Sequence, residues 1–81
     1  MDPAIPNRDD QHGGVEAVGF VSQGIKHAMR KGINRSSLSS GACEALDMIA
    51  HKIGRILAGN PSHADHWHDI QGYAKLIEDR L

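Results

Sequence analysis

The chain has 81 residues and one cysteine, Cys43, so a single domain is the upper limit and no disulfide framework is open to it. Nine Lys and Arg against ten Asp and Glu leave a formal charge of -1, which gives no electrostatic reason to expect a nucleic-acid polymer as partner. No apolar run approaches the roughly 18 residues of a membrane span, and Met1-Asp2-Pro3-Ala4-Ile5-Pro6 lacks the basic and apolar regions of a signal peptide. The expectation is a cytoplasmic protein with no membrane partner.

Residues 1–13 carry Pro3, Pro6, Asp9 and Asp10 and read as a flexible N-terminal arm. Residues 14–81 read as a single helical domain. From Val15 onward, Ala17, Val18, Val21, Ile25, Ala28 and Met29 recur at three- and four-residue steps, as one face of a helix requires. Lys26, Arg30 and Lys31 suit the negative end of its dipole, and Gly32 is placed for a left-handed stop. Gly19 and Gly24 weaken that helix by about 1 kcal/mol each relative to alanine, which close packing by another helix or plain tolerance in a marginal helix would explain equally well.

A serine-rich connection, Asn34 to Ser40, precedes a second helix starting near Ser40 or Gly41, with Leu46, Ile49, Ile53, Ile56 and Leu57 as its apolar face. Gly59 and Asn60-Pro61 end it. Ser62 is placed to open a third helix whose apolar stripe is Trp67, Ile70, Ala74, Ile77 and Leu81. The short connection predicts an antiparallel hairpin. The fold class is therefore all-α, about three helices, with a C-terminal antiparallel helical hairpin. So small an aliphatic core predicts a bundle completed by homo-oligomerisation.

Opposite the expected core, Glu44, Asp47, His51 and Arg55 share a narrow arc of the second helix. On the third helix, Asp65, Asp69, Gly72 and Leu76 share a side away from Trp67 and Ala74. Gly72 and Leu76 there predict a contact with a second subunit, because a surface facing only water seldom needs both. His63, His66 and His68 lack the partner pattern of a zinc site and read as surface histidines. Cys43 has no basic activator on its own face, so no nucleophile constellation emerges.

The segment Ala45 to Ala74 carries His51-Lys52-Ile53-Gly54-Arg55-Ile56, then Asn60-Pro61, then Asp65-His66-Trp67-His68-Asp69-Ile70-Gln71-Gly72-Tyr73-Ala74. It resembles a family of short bacteriophage and prophage proteins with a Lys-Ile-x-Arg helix followed by an Asp-x-x-x-Asp-Ile-x-Gly-Tyr-Ala helix. Asp10-Gln11-His12-Gly13 is similar to the Asp-x-Tyr-Gly stretch preceding that family's first helix, with His12 in place of the tyrosine. The family is in turn distantly similar to the MazG-type all-α nucleoside triphosphate pyrophosphohydrolases, oligomers that bind Mg²⁺ through carboxylates on neighbouring helices. That similarity implies Glu44, Asp47, Asp65 and Asp69 as Mg²⁺ ligands. The chain departs from the pattern in its first helix, where Glu16 is the only carboxylate and no Glu-Glu-x-x-Glu motif occurs.

Three functions follow as expectations. The first is a phage-type binder of a small phosphorylated ligand, a nucleotide or cyclic nucleotide, held without a cofactor and sequestered as a host immune signal. Lys26, Arg30, His51, Lys52 and Arg55 would contact phosphates, and Trp67 or Tyr73 would stack on a base. The second is a Mg²⁺-dependent nucleotide pyrophosphohydrolase. The third is a helical interaction module without a small ligand.

Overall fold

The computed structural model describes residues 14–81, so the expected N-terminal arm lies outside the described residues. The fold is all-α: α1 (Val15–Met29), α2 (Ser40–Ala58) and α3 (Ala64–Glu78), with a 3-10 turn at Arg35–Ser37 between α1 and α2. Among the described residues, no helix is long and apolar enough to cross a membrane.

The helix ends follow local chemistry, not always the chemistry expected. Ser39 caps α2, its Oγ accepting the Ala42 N–H at 3.1 Å. Gly32 does not adopt the left-handed conformation. α1 instead runs out through a turn in which the Gly32 N–H donates to the Met29 carbonyl at 3.1 Å. Gly59 likewise ends α2 without a left-handed turn, at φ -127° and ψ -133°, outside both the helical and the extended regions, and leads into Asn60, where the following proline disfavours helix. The Asn60 side chain accepts the Ser62 N–H at 2.9 Å, a turn that uses up the residue expected to cap α3. His63 stands at that cap position, with no side-chain capping bond.

α2 lies between the other two helices. Gly54 abuts Val18 and Ser22 of α1, while Lys52 Nζ sits 2.9 Å from Asp69 of α3. Positions two apart are about 200° apart around a helix, so α1 and α3 occupy opposite sides of α2. Both neighbours run antiparallel to it, the expected C-terminal hairpin among them: Lys52 pairs with Asp69 while Gly41 lies beside Arg80, and Gly54 abuts Val18 while His51 feels the charge of Lys26.

Each contact has its own stripe, repeating every seven residues. Spacing and burial place Val18, Ser22, Ile25 and Met29 of α1 with Cys43, Asp47, Ala50 and Gly54 of α2 on one, and Ala45, Ile49, Lys52 and Ile56 of α2 with His66, Ile70, Tyr73 and Ile77 of α3 on the other. All of these positions are buried or half-buried. The fully buried apolar side chains are small, Ala42, Ala45 and Ala50 beside Val18 and Ile56. Leu46, Trp67 and Ala74, expected in a common core with Ile49, Ile53, Ile70 and Ile77, are exposed instead, Leu46 at 40% and Trp67 at 52%. A helix flanked on two opposite sides buries two narrow stripes, and the apolar residues between them are left uncovered.

Candidate anion-binding face

The remaining side of α2 carries the polar arc. His51 and Arg55 are one turn apart, and the Arg55 Nε–H donates to His51 Nε2 at 3.0 Å. Accepting that bond requires His51 to be neutral, with its proton on Nδ1. Burial holds the His51 pKa below its ordinary value, and the nearby charges of Arg55, Lys26 and Lys52 push it in the same direction. Lys26 reaches this cluster from α1 because α1 and α2 are antiparallel, and Arg30 lies one turn beyond Lys26 on the same flank.

None of Lys26, Arg30 and Arg55 makes an ion pair among the described residues. Arg55 spends its Nε on His51, which leaves both Nη groups uncommitted among those residues. The result is a small group of basic side chains with one oriented guanidinium, a geometry suited to a phosphate or carboxylate oxygen pair.

Other expected site residues fall elsewhere. Lys52 is half-buried and committed to Asp69. That hydrogen bond, more than any other interaction, keeps the exposed Asp69 carboxyl below the usual carboxylate range. Trp67 sits on the far flank of α3, its indole N–H donating to the Pro61 carbonyl at 2.8 Å. Tyr73 joins His68, Asp69, Gly72 and Leu76 around a shallow, open hollow of about 360 Å³ on α3. α3 is across α2 from Lys26, so neither aromatic ring is gathered with the basic cluster. Gly72 faces open space and Leu76 is 55% exposed, so both are available to a partner.

The four carboxylates implied as Mg²⁺ ligands are also divided. Asp47 lies in the stripe facing α1, with Oδ1 buried and without a hydrogen-bond partner among the described residues. Glu44 and Asp65 are exposed, and Asp69 is neutralised by Lys52. Among the described residues, no three His, Cys, Asp or Glu side chains converge as a metal-binding group would require. This donor set does not fit a carboxylate-held Mg²⁺.

Sequence reasoning missed two features. His66, read as a surface residue, is 2% exposed and packs beside His63 with ring centroids 4.6 Å apart. Its signal was the spacing His66, Ile70, Tyr73, Ile77, a regular stripe with a polar first member. Gly54 is the glycine that a close helix approach requires. Gly19 and Gly24, for which such an approach is one of the two expected explanations, face open space. No family model, curated protein or solved structure matches the chain.

Proposed function

We propose that this chain binds a small phosphorylated ligand, a nucleotide or cyclic nucleotide, on the Lys26–His51–Arg55 face of α1 and α2. The observation that carries the reading is geometric: the Arg55 guanidinium is oriented by the 3.0 Å bond from its Nε to His51, and its Nη groups are uncommitted among the described residues. Burial is the largest cause that lowers the proton affinity of His51, and the charges of Arg55, Lys26 and Lys52 add repulsion in the same direction. A phosphate relieves that repulsion and takes charge-assisted bonds from the Arg55 Nη groups. Lys26 adds a point charge, and Arg30 extends the flank for a second phosphate.

In this reading the site holds its ligand without a metal. With the phage-type resemblance of residues 45–74, the reading becomes a binder that keeps a nucleotide signal intact inside a bacterial host cell. The MazG-like alternative, hydrolysis through Mg²⁺, has less support because Asp47 is turned toward α1, Asp69 is paired with Lys52, and no three metal-capable side chains converge among the described residues.

The test is calorimetric titration of the purified chain with a panel of linear and cyclic nucleotides and pyrophosphate, with Mg²⁺ and with a chelator. Bound ligand is then recovered after denaturation. Saturable binding in chelator, with the ligand recovered intact, is the expected result. Conversion of the ligand only when Mg²⁺ is present overturns the reading in favour of the enzyme, and absence of binding across the panel removes it.

A further inference from the structure

The side of α2 opposite the basic face is apolar and open. Leu46, Ile53 and Leu57 fall within about 40° of one another on the helical wheel, midway between the stripes that meet α1 and α3. Leu46 is 40% exposed, Leu57 is 69% exposed and Ile53 is half-buried.

The flanking helices extend this surface. Lys26 lies on the basic side of α1, so the opposite flank presents Val21, which is half-buried. Asp69 lies on the basic side of α3, so the opposite flank presents Trp67, 52% exposed, and Ala74. None of these six positions is charged.

We infer that a second copy of this chain covers the Leu46–Ile53–Leu57 face, packing two three-helix layers face to face about a two-fold axis.

Three observations select a second copy. Among the described residues, the fully buried interior holds only Val18 and Ile56 as large aliphatic side chains beside alanines. So small a core leaves a domain of this length marginal by itself. A cover that supports the fold is needed whenever the chain is folded, a condition that an identical chain always meets. Next, the face has the required size. α2 is about 28 Å long at 1.5 Å per residue, and its neighbours lie about 8–10 Å to either side, giving on the order of 700 Å². A stable interface takes about 800 Å² per partner, and about 600 Å² at the low end. Finally, an uncharged face asks for no charge-complementary partner, and a two-fold interface needs only a surface that complements itself.

The arrangement differs from one built on Gly72 and Leu76, which lie on the Asp69 side of α3. It leaves both Lys26–His51–Arg55 clusters on the outer faces of the dimer, each complete within one chain. It does not depend on what those clusters bind.

Light scattering of the chain at micromolar concentration, together with its thermal midpoint over a hundredfold dilution, tests the inference. The expected mass is twice 8.8 kDa, and the midpoint should fall on dilution because folding and association are coupled. Leu57→Glu should weaken association by more than about tenfold, since it places a charge in an apolar contact. Gly72→Leu should leave the mass unchanged. If Leu57→Glu does not fold, the dilution series on the parent chain still decides, with Leu46→Gln as the milder variant. A parent mass of one chain with a dilution-independent midpoint overturns the inference. So does a dimer that Gly72→Leu dissociates and Leu57→Glu or Leu46→Gln leaves intact.

Discussion

Ser22 of α1 packs directly against Gly54 of α2: a Cβ added at Gly54 would stand 3.3 Å from the Ser22 Cβ and 2.9 Å from the Val18 carbonyl oxygen. A backbone oxygen cannot swing aside, so Gly54→Ala forces α1 and α2 apart. The helix-propensity gain of about 1 kcal/mol is outweighed by overpacking of about 1–3 kcal/mol. Urea unfolding should show a net loss of stability. Gly24→Ala, where nothing lies within 4 Å, should show a gain of up to about 1 kcal/mol.

The same seam holds an unsatisfied hydroxyl. Ser22 is 2% exposed, and its Oγ has no hydrogen-bond partner among the described residues. A buried unpaired hydroxyl costs about 1–3 kcal/mol. Ser22→Ala keeps the Cβ that Gly54 accommodates and should raise stability by about 1 kcal/mol. A destabilised Ser22→Ala protein would show that the hydroxyl has a partner in solution.

Ser39 supplies the side-chain cap of α2, the helix on which both neighbours pack. Ser39→Ala should cost about 1 kcal/mol, read as a lowered urea midpoint with unchanged slope. Ser62→Ala should cost less, because Ser62 contributes its backbone N–H to the turn at Asn60.

His51 links stability to pH. Its pKa is lowered in the folded chain, burial being the largest cause. The unfolded chain therefore binds the proton more readily. The contribution is fully present above the ordinary value of about 6.5 and is lost as pH falls below it toward the lowered folded value. His51→Gln should flatten that part of the stability profile. A bound phosphate raises the proton affinity of His51, so ligand binding near pH 6 should be accompanied by proton uptake, visible as a buffer-dependent enthalpy.

The three helices were legible because Val18 to Met29 and Leu46 to Leu57 repeat at helical spacing, and the serine-rich stretch to Ser40, with Gly59 and Pro61, marks the breaks. The faces were less legible. Leu46, Ile53 and Trp67 form the strongest apolar pattern, yet one chain buries Ala45, Ala50, Gly54 and His66 more completely. Helix contact selects small side chains where backbones approach, and hydrophobicity alone does not report such contacts. The pairing of Lys52 with Asp69 was invisible for a related reason. It depends on which side of α2 faces α3, and that is settled by tertiary packing. His51 and Arg55 were readable as neighbours from their four-residue spacing, whereas the arrival of Lys26 beside them required the antiparallel placement of α1.

The most direct measurement of the central claim compares Arg55→Ala with Asp69→Asn in nucleotide binding under chelator. If the basic face holds phosphate directly, Arg55→Ala removes charge-assisted bonds of about 1.5–3 kcal/mol and weakens binding about 10- to 100-fold. Asp69→Asn, which frees Lys52 on the α3 side, should change affinity by less than about threefold. Nucleotide hydrolysis that requires Mg²⁺, disappears in Asp69→Asn and survives in Arg55→Ala would contradict the account.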